Sequence, residues 1–154
     1  MKCEPSAYAI GALERDGVTS WEGVRNYQAR NYMRDDMRQG DGVLFYASNA
    51  DPSGVTGLAT IARAGYPDHL AWKKGHVYFD AASPKEKPVW YMVDVAFAEC
   101  FPEVVPLETL KTTKGLEQMV VIQKGSRLSI QPVTKAEYDV VVKLGRGTKR
   151  SRRA

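Results

Sequence analysis

Three long segments of the chain carry the residue pattern of β-strands. They are "GDGVLFYAS" at 40–48, "GVTGLATIARAGYP" at 54–67 and "VWYMVDVAFAECF" at 89–101. Each is rich in β-branched and aromatic residues and is bounded by turn-forming residues. The turn-rich "NADPSG" between the first two predicts that they pair antiparallel. We expect the third to end at Pro102, because proline cannot donate to a strand ladder. "MKCEP", "MVVI" and "SIQP" predict shorter strands.

Apolar residues at helical spacing predict the helices. One inward stripe, which predicts a helix from Val24 to Met37, consists of Ala29, Met33 and Met37. "YAIGALERDG" predicts a short helix closed by Gly17, and "PLETLKT" predicts a helical turn. Thr134 and Glu137 have the spacing of a capping box and begin a terminal helix. Five or six strands, many of them consecutive, with three or four helices indicate an α+β fold with a curved or barrel-like, mostly antiparallel sheet.

The composition is that of one globular domain with its own core. The chain has 154 residues, 44% hydrophobic and 26% charged. It shows neither an apolar run of membrane-spanning length nor a signal peptide, so we expect an intracellular protein without membrane contact. The two cysteines, Cys3 and Cys100, and the two histidines, His69 and His76, lack the spacing of a metal or hydrolytic site. Phosphate-binding glycine loops are also missing. We expect no metal, no cofactor and a monomer.

The positive charge is concentrated at the C-terminal end of the chain. The formal net charge is +4, but five of the 22 basic residues lie in the last ten residues, "GRGTKRSRRA". The remaining 17 basic residues face 18 acidic ones, so the body is close to neutral. We predict that 145–154 is a disordered basic tail. A phosphate-binding arm and a nuclear address are the alternatives.

Flat rings stand beside hydrogen-bonding side chains in three regions, 21–26, 46–49 and 90–94. A nucleobase needs rings against its faces and donors or acceptors along its edge. In the third region strand alternation places Trp90, Met92 and Asp94 on one face, opposite Val93 and Val95. That face is either a solvent side with one scattered aromatic residue or the wall of a binding pocket. Periodicity alone does not bring Trp21 and Trp90 together.

Six ordered motifs resemble those of the EVE domain family. They are "MKCEP", "WEGVRNYQARNYMR", "VLFYASN", "GYPD", "WYMVDV" and "RLSIQPVT", and they cover residues 1–144. The resemblance implies a PUA-like fold, a curved β-barrel with peripheral helices. It also implies binding of DNA or RNA that carries a modified nucleobase, such as a methylated one, and a distant similarity to the YTH domain, which encloses methylated adenine in an aromatic cage.

The resemblance also implies roles for individual residues. Trp21 and Trp90 would form the cage walls, with Tyr46 as a third side. The residues implied to contact the base edge or close the pocket are Asn26, Ser48, Asp94, Ser129 and Gln131. Arg25 and Arg30 would contact phosphate or brace the helix through carboxylates. The family usually has Ser where this chain has Cys3, so a weak donor replaces a good one.

The function predicted from these observations is a non-enzymatic reader that flips a modified base into an aromatic cage. Two other classes stay open. One is a small hydrolase of modified nucleosides, with Asp94 or Glu4 as general base and Lys2 nearby, although no nucleophile with an evident base is present. The other is an adaptor that docks partner proteins and meets nucleic acid through its tail alone.

Overall fold

A five-stranded sheet organises the part of the chain that the structure describes. The computed structural model describes residues 1–125 and 127–153, with side chains described through residue 147. The strands are β1 (Lys2–Cys3), β2 (Val18–Trp21), β3 (Gly42–Ala47), β4 (Gly54–Pro67) and β5 (Tyr91–Pro106). Their order is β1-β3-β4-β5-β2; β1 and β3 are parallel and the other pairs antiparallel. The predicted α+β class and mostly antiparallel sheet are confirmed.

The sheet is strongly curved but does not close. Trp21 on β2 meets Phe45 on β3 edge to face, with ring centroids 5.8 Å apart and planes at 87°. Two strands separate β2 from β3 in the sheet, and neighbouring strands lie about 4.8 Å apart, so only a bent sheet permits this contact. In the described ranges β1 and β2 are edge strands that do not pair with each other. The closed barrel implied by the resemblance is therefore not formed by backbone hydrogen bonds.

Two hydrophobic clusters lie on the two faces of β3. The first core, on the inside of the bend, includes Leu13, Trp21, Ala29, Met33, Val43, Phe45, Val93, Val95 and Ile130. The second core, under α3 and α4, includes Leu44, Tyr46, Leu58, Phe101, Leu110, Leu116 and Val141. Alternation along β3 thus sends Phe45 and Tyr46 into different cores, as the sequence pattern predicts.

Within the described residues, four α-helices pack on the sheet: α1 (Ile10–Asp16), α2 (Tyr27–Asn31), α3 (Leu107–Thr112) and α4 (Lys135–Arg153). Helix α2 continues as a π-helical turn over Tyr32–Asp36. It begins three residues later than predicted, because Val24 belongs to the first core and Asn26 caps the helix. The capping box that begins α4 is confirmed: the Glu137 N–H donates to Thr134 Oγ1 at 3.1 Å, and the Thr134 N–H donates to Glu137 Oε1 at 3.0 Å.

Several strand predictions are wrong in informative ways. Strand β5 continues past Pro102 to Pro106, because Pro102 lies where the β4–β5 pairing shifts register and no ladder bond is required of it. The "MVVI" segment contains a 3-10 helix at Val120–Ile122, and "SIQP" is an irregular segment beside β1. Strand β2 was not predicted at all.

None of the described helices combines the length and hydropathy needed to cross a membrane.

Helix α4 extends beyond the predicted domain boundary at residue 144. Its backbone is helical through Arg153, so most of the segment predicted as a disordered tail is described as helix, while Ala154 lies outside the described residues. Gly145 packs against the Phe101 ring, where a Cβ would approach ring carbons to 2.4 Å. Arg146 forms a bidentate ion pair with Glu99 on β5. These contacts attach the first residues of the predicted tail to the sheet.

Candidate nucleic-acid interface

Polar groups from three segments meet where β1 ends. The Ser48 N–H donates to the Cys3 carbonyl at 3.0 Å, and the Lys2 N–H donates to the Ser129 carbonyl at 2.7 Å. Ser48 and Ser129 therefore flank β1 from its two sides. Asn49, in the left-handed backbone region at φ 50°, donates its side-chain amide to the Glu4 carboxylate. This site, defined by Cys3, Glu4, Ser48, Asn49 and Ser129, is called the β1 end below.

Trp21 belongs to the hydrophobic cluster that reaches the β1 end. It is 9% exposed and lies in the first core, against which Cys3 also packs. Its backbone position is fixed by pairing of β2 with β5, where Trp21 stands opposite Val93. The Cys3 thiol is partly buried, and burial raises its pKa, so this side chain stays a neutral weak donor. Of the two indoles predicted as walls, Trp21 is the one that lies in a hydrophobic cluster against which a residue of the β1 end, Cys3, packs.

Trp90 lies outside both cores and is engaged by other side chains. Its Nε1–H donates to Asp80 Oδ2 at 2.6 Å. Tyr27 stacks on its ring with centroids 5.0 Å apart, and the Arg25 guanidinium lies 5.3 Å from the ring centroid. Only 6% of Trp90 is exposed. The Trp90 ring and its N–H are therefore engaged by side chains of the protein itself.

Arg25 joins the chain after β2 to the connection between β4 and β5. Its Nη1 donates to Asp68 Oδ2 at 3.0 Å, and its Nη2 donates to the Tyr78 carbonyl at 2.7 Å. The fully buried Asp68 carboxylate also accepts from the Gly23 N–H at 2.8 Å and from the Leu70 N–H at 2.9 Å. The sequence left two roles open for Arg25, a phosphate contact and bracing through a carboxylate. The contacts of Arg25 in the structure correspond to bracing.

Arg30 is held in a similar way by protein atoms. Its Nη1 donates to the Val89 carbonyl at 3.0 Å, and its Nε and Nη2 donate to the Asn31 side-chain oxygen at 3.1 and 2.7 Å. The guanidinium also lies 5.0 Å from the centroid of the Tyr27 ring. Arg25 therefore ties the turn before α2 to the β4–β5 connection, and Arg30 ties α2 itself to that connection.

The remaining predicted contact residues are not brought to one place. Tyr46 lies in the second core, on the sheet face opposite Trp21. Asn26 Oδ1 accepts the Ala29 N–H at 3.0 Å as the cap of α2. Asp94 accepts a hydrogen bond from the Tyr66 hydroxyl. Burial, the bond to Asp94 and the charge of Asp94 together raise the pKa of Tyr66 to about 12.

Gln131 lines a cleft at the other end of β1. Its Nε2 donates to the Leu128 carbonyl at 2.9 Å. The cleft has a volume of about 770 Å³ and lies between the start of β3, the π-helical turn and the start of α4. Its mostly apolar lining includes Met37, Val43, Ile130 and Tyr138. Gln131 therefore belongs to the lining of this cleft, two residues along the chain from Ser129 of the β1 end.

Two features of the site were missed from the sequence. Asp68 is the hub of the bracing network, and its only sequence signal is its place in the "GYPD" motif. The connection from Asp68 to Trp90 lacks a strand and has one 3-10 helix, His69–Trp72. A connection of this length is uncommon and is a general signal of function.

Among the described residues there is no group of three or more His, Cys, Asp or Glu side chains arranged to hold a metal ion.

The bent five-stranded sheet, its two cores and the polar β1 end define a small α+β domain built around one mostly antiparallel sheet. The chain belongs to the EVE domain family, whose pattern matches residues 1–144. It is 41% identical over 134 residues to human thymocyte nuclear protein 1, and the match covers 82% of this chain and 59% of that protein. The chain therefore spans less than two thirds of this relative.

Solved structures show the same fold. A Pseudomonas putida protein is 46% identical with a TM-score of 0.89, and the match covers 94% of this chain and 97% of that one. Human THYN1 protein in complex with 5-methylcytosine-containing DNA is 37% identical with a TM-score of 0.85, covering 94% of this chain and 95% of that one.

Proposed function

We propose that this chain is a non-enzymatic domain that binds nucleic acid carrying a methylated base, and that the base is flipped out of its strand. The supporting observation is the human THYN1 structure with 5-methylcytosine-containing DNA, which shares this fold over nearly the whole chain. Flipping costs a few kcal/mol of lost stacking, and a protein ring must offset that cost. Unpaired or mispaired sites should bind best.

The base site that we propose is the β1 end together with Trp21. Trp21 supplies the ring that stacks on the base, because it shares the first core with Cys3 and is not covered by the Tyr27 and Arg25 contacts that engage Trp90. Ser48 and Ser129, on the two sides of β1, supply donors and acceptors for the base edge. Trp90 then acts indirectly, by holding the β4–β5 connection in place.

Binding of two single-stranded oligonucleotides that differ only in one methyl group tests this assignment. Fluorescence anisotropy compares a single strand containing 5-methylcytosine with the same strand containing cytosine. Trp21→Leu keeps most of the apolar volume but removes the stacking face, and base–ring stacking is worth about 1–3 kcal/mol. We expect the preference for the methylated strand to fall roughly tenfold or more. Urea denaturation of the same variant confirms that the fold is retained.

Tyr46→Phe is the matched control, because Tyr46 lies in the second core on the opposite face of the sheet. We expect its preference for the methylated strand to equal that of the wild type. An undiminished preference in a folded Trp21→Leu protein would refute the role of Trp21. A preference lost only in Tyr46→Phe would place the site on the opposite face.

The alternative functions make different predictions. A nucleoside hydrolase using Glu4 or Asp94 would consume modified nucleosides, which mass spectrometry would detect; we expect them to be recovered intact. Both carboxylates already accept hydrogen bonds, from Asn49 and Tyr66. An adaptor that meets nucleic acid through its tail would lose all affinity when residues 147–154 are removed. We expect that truncation to weaken binding and to leave the preference for the methylated strand unchanged.

A further inference from the structure

The connection between β4 and β5 forms an ordered surface beside the proposed base site. It starts at Asp68, whose carboxylate binds the Gly23 N–H two residues after Trp21. Within it the Asp80 N–H donates to the Ala71 carbonyl at 2.9 Å. Near its end Ser83 Oγ accepts from Val89 N–H at 2.8 Å. A connection tied at its start, middle and end presents its outer side chains in fixed positions.

This surface exposes large apolar side chains. Tyr27 is 63% exposed, Val77 84% and Phe79 38%. Tyr27 stacks on Trp90, and Trp90 Nε1 binds Asp80, the residue after Phe79. The stack on a buried indole fixes the Tyr27 ring while most of the residue stays in contact with solvent. An exposed, prestacked ring is a platform on which a further flat ring can stack.

The exposed charge on the connection is mainly positive. Four exposed lysines lie on it: Lys73, Lys74, Lys85 and Lys87. Of the acidic residues, Asp68 is buried against Arg25 and Asp80 accepts the Trp90 hydrogen bond. Glu86 is an exposed acid between two of the lysines. Lysines interleaved with exposed rings suit a flexible polyanion whose bases stack, and a single nucleic-acid strand has that chemistry.

We propose that the Tyr27 platform, defined as Tyr27, Val77, Phe79 and Lys73, Lys74, Lys85, Lys87, holds the single strand that flanks the flipped base. An unmodified neighbouring base stacks on Tyr27, and the lysines neutralise the phosphates on either side. This inference rests on the proposed function, since it requires a bound strand. The platform and the base site differ in what a binding measurement reports. The platform contributes affinity for strands with any base, and the β1 end contributes the preference for the methylated base.

Oligonucleotide binding separates the two contributions. The variants are Tyr27→Ala, Tyr27→Phe and the double variant Lys73→Gln/Lys74→Gln. Lys111→Gln/Lys114→Gln is the charge-matched control, because these exposed lysines belong to α3 and the turn that follows it over the second core. Dissociation constants are measured by anisotropy for the methylated and unmethylated single strands over a series of salt concentrations.

We expect Tyr27→Ala to weaken binding of both strands by the same factor, about tenfold, with Tyr27→Phe close to wild type. The Lys73/Lys74 variant should reduce the slope of log affinity against log salt by roughly 1.4, from two lost phosphate contacts on a single strand. The Lys111/Lys114 control should keep the wild-type slope.

Unchanged affinity in Tyr27→Ala, or equal slopes in the two lysine variants, would overturn the platform while leaving the preference for methylated strands intact. A wild-type protein that binds strands without preferring the methylated one would instead overturn the base site. A protein with no affinity for either strand would overturn both proposals.

Discussion

Arg25 and Asp68, 43 residues apart in the chain, form a hydrogen-bonded ion pair of 3.0 Å in which the carboxylate is fully buried. The pair joins the turn after Trp21 to the start of the β4–β5 connection, which carries most of the Tyr27 platform. Because Asp68 also accepts the Gly23 and Leu70 N–H groups, one carboxylate sets the position of both parts of the proposed interface.

Asp68→Asn should destabilise the fold. The neutral amide loses the ion pair and presents a donor where the carboxylate accepts, so we expect a loss of about 2–3 kcal/mol in the free energy of unfolding, measured by urea denaturation. Asp35→Asn is the control, because its ion pair with Arg34 is solvent-exposed, and it should change the stability little. Equal stabilities of the two variants would contradict the hub role of Asp68.

Gly23→Ala should be more costly than Gly75→Ala. Both glycines have positive φ, 82° and 84°, so alanine is strained equally at the two positions. At Gly23 the added Cβ would also approach the Tyr78 ring to 2.4 Å, whereas at Gly75 it meets nothing within 4 Å. We expect Gly75→Ala to cost about 1 kcal/mol and Gly23→Ala at least roughly 1 kcal/mol more. Thermal unfolding of the pair measures the difference, and identical melting would disprove the close approach.

Variants of Asn26 distinguish two roles for its side chain, capping helix α2 and contacting the base edge. Asn26→Asp keeps the oxygen that accepts the Ala29 N–H, and Asn26→Ala removes it. A capping role predicts near-wild-type stability for Asp and a loss of about 1 kcal/mol for Ala. It also predicts that neither variant changes the preference for methylated strands. A lost preference in a stable Asn26→Asp protein would return Asn26 to the base edge.

Tyr66 should make the stability fall in alkaline solution. Its pKa is raised from 10.0 to about 12 in the fold, so the folded state holds the phenolic proton more tightly than the unfolded chain. This contribution is complete below pH 10 and is lost as pH rises towards 12. Tyr66→Phe should flatten that part of the profile, as measured by urea denaturation at several alkaline pH values. A profile identical to wild type would show that other groups cause the decline.

The sequence predicted elements whose signals are local and missed those that depend on distant partners. Strands β3 and β4, helices α1 and α3 and the Thr134 cap all follow from patterns within about fifteen residues. Strand β2 has four residues, and its partner on β5 lies more than seventy residues away. Its strand conformation is set by that pairing, which no local pattern reports.

The candidate site shows the same division. Alternation along β3 places Phe45 and Tyr46 on opposite faces of the sheet, and Tyr46 therefore lies away from Trp21. Periodicity had no means to show that Trp90 stacks with Tyr27 and binds Asp80, because those contacts depend on the path of the long connection. Three-dimensional packing, rather than residue type, thus determines which side chains engage each of the two indole rings.

The two edge strands of the described sheet are very short, with two residues in β1 and four in β2. An exposed long strand can recruit a neighbouring molecule through its free amides and carbonyls, and shortness removes that hazard. The gap between β1 and β2 can therefore stay open beside the proposed base site without promoting strand pairing between two copies of the chain.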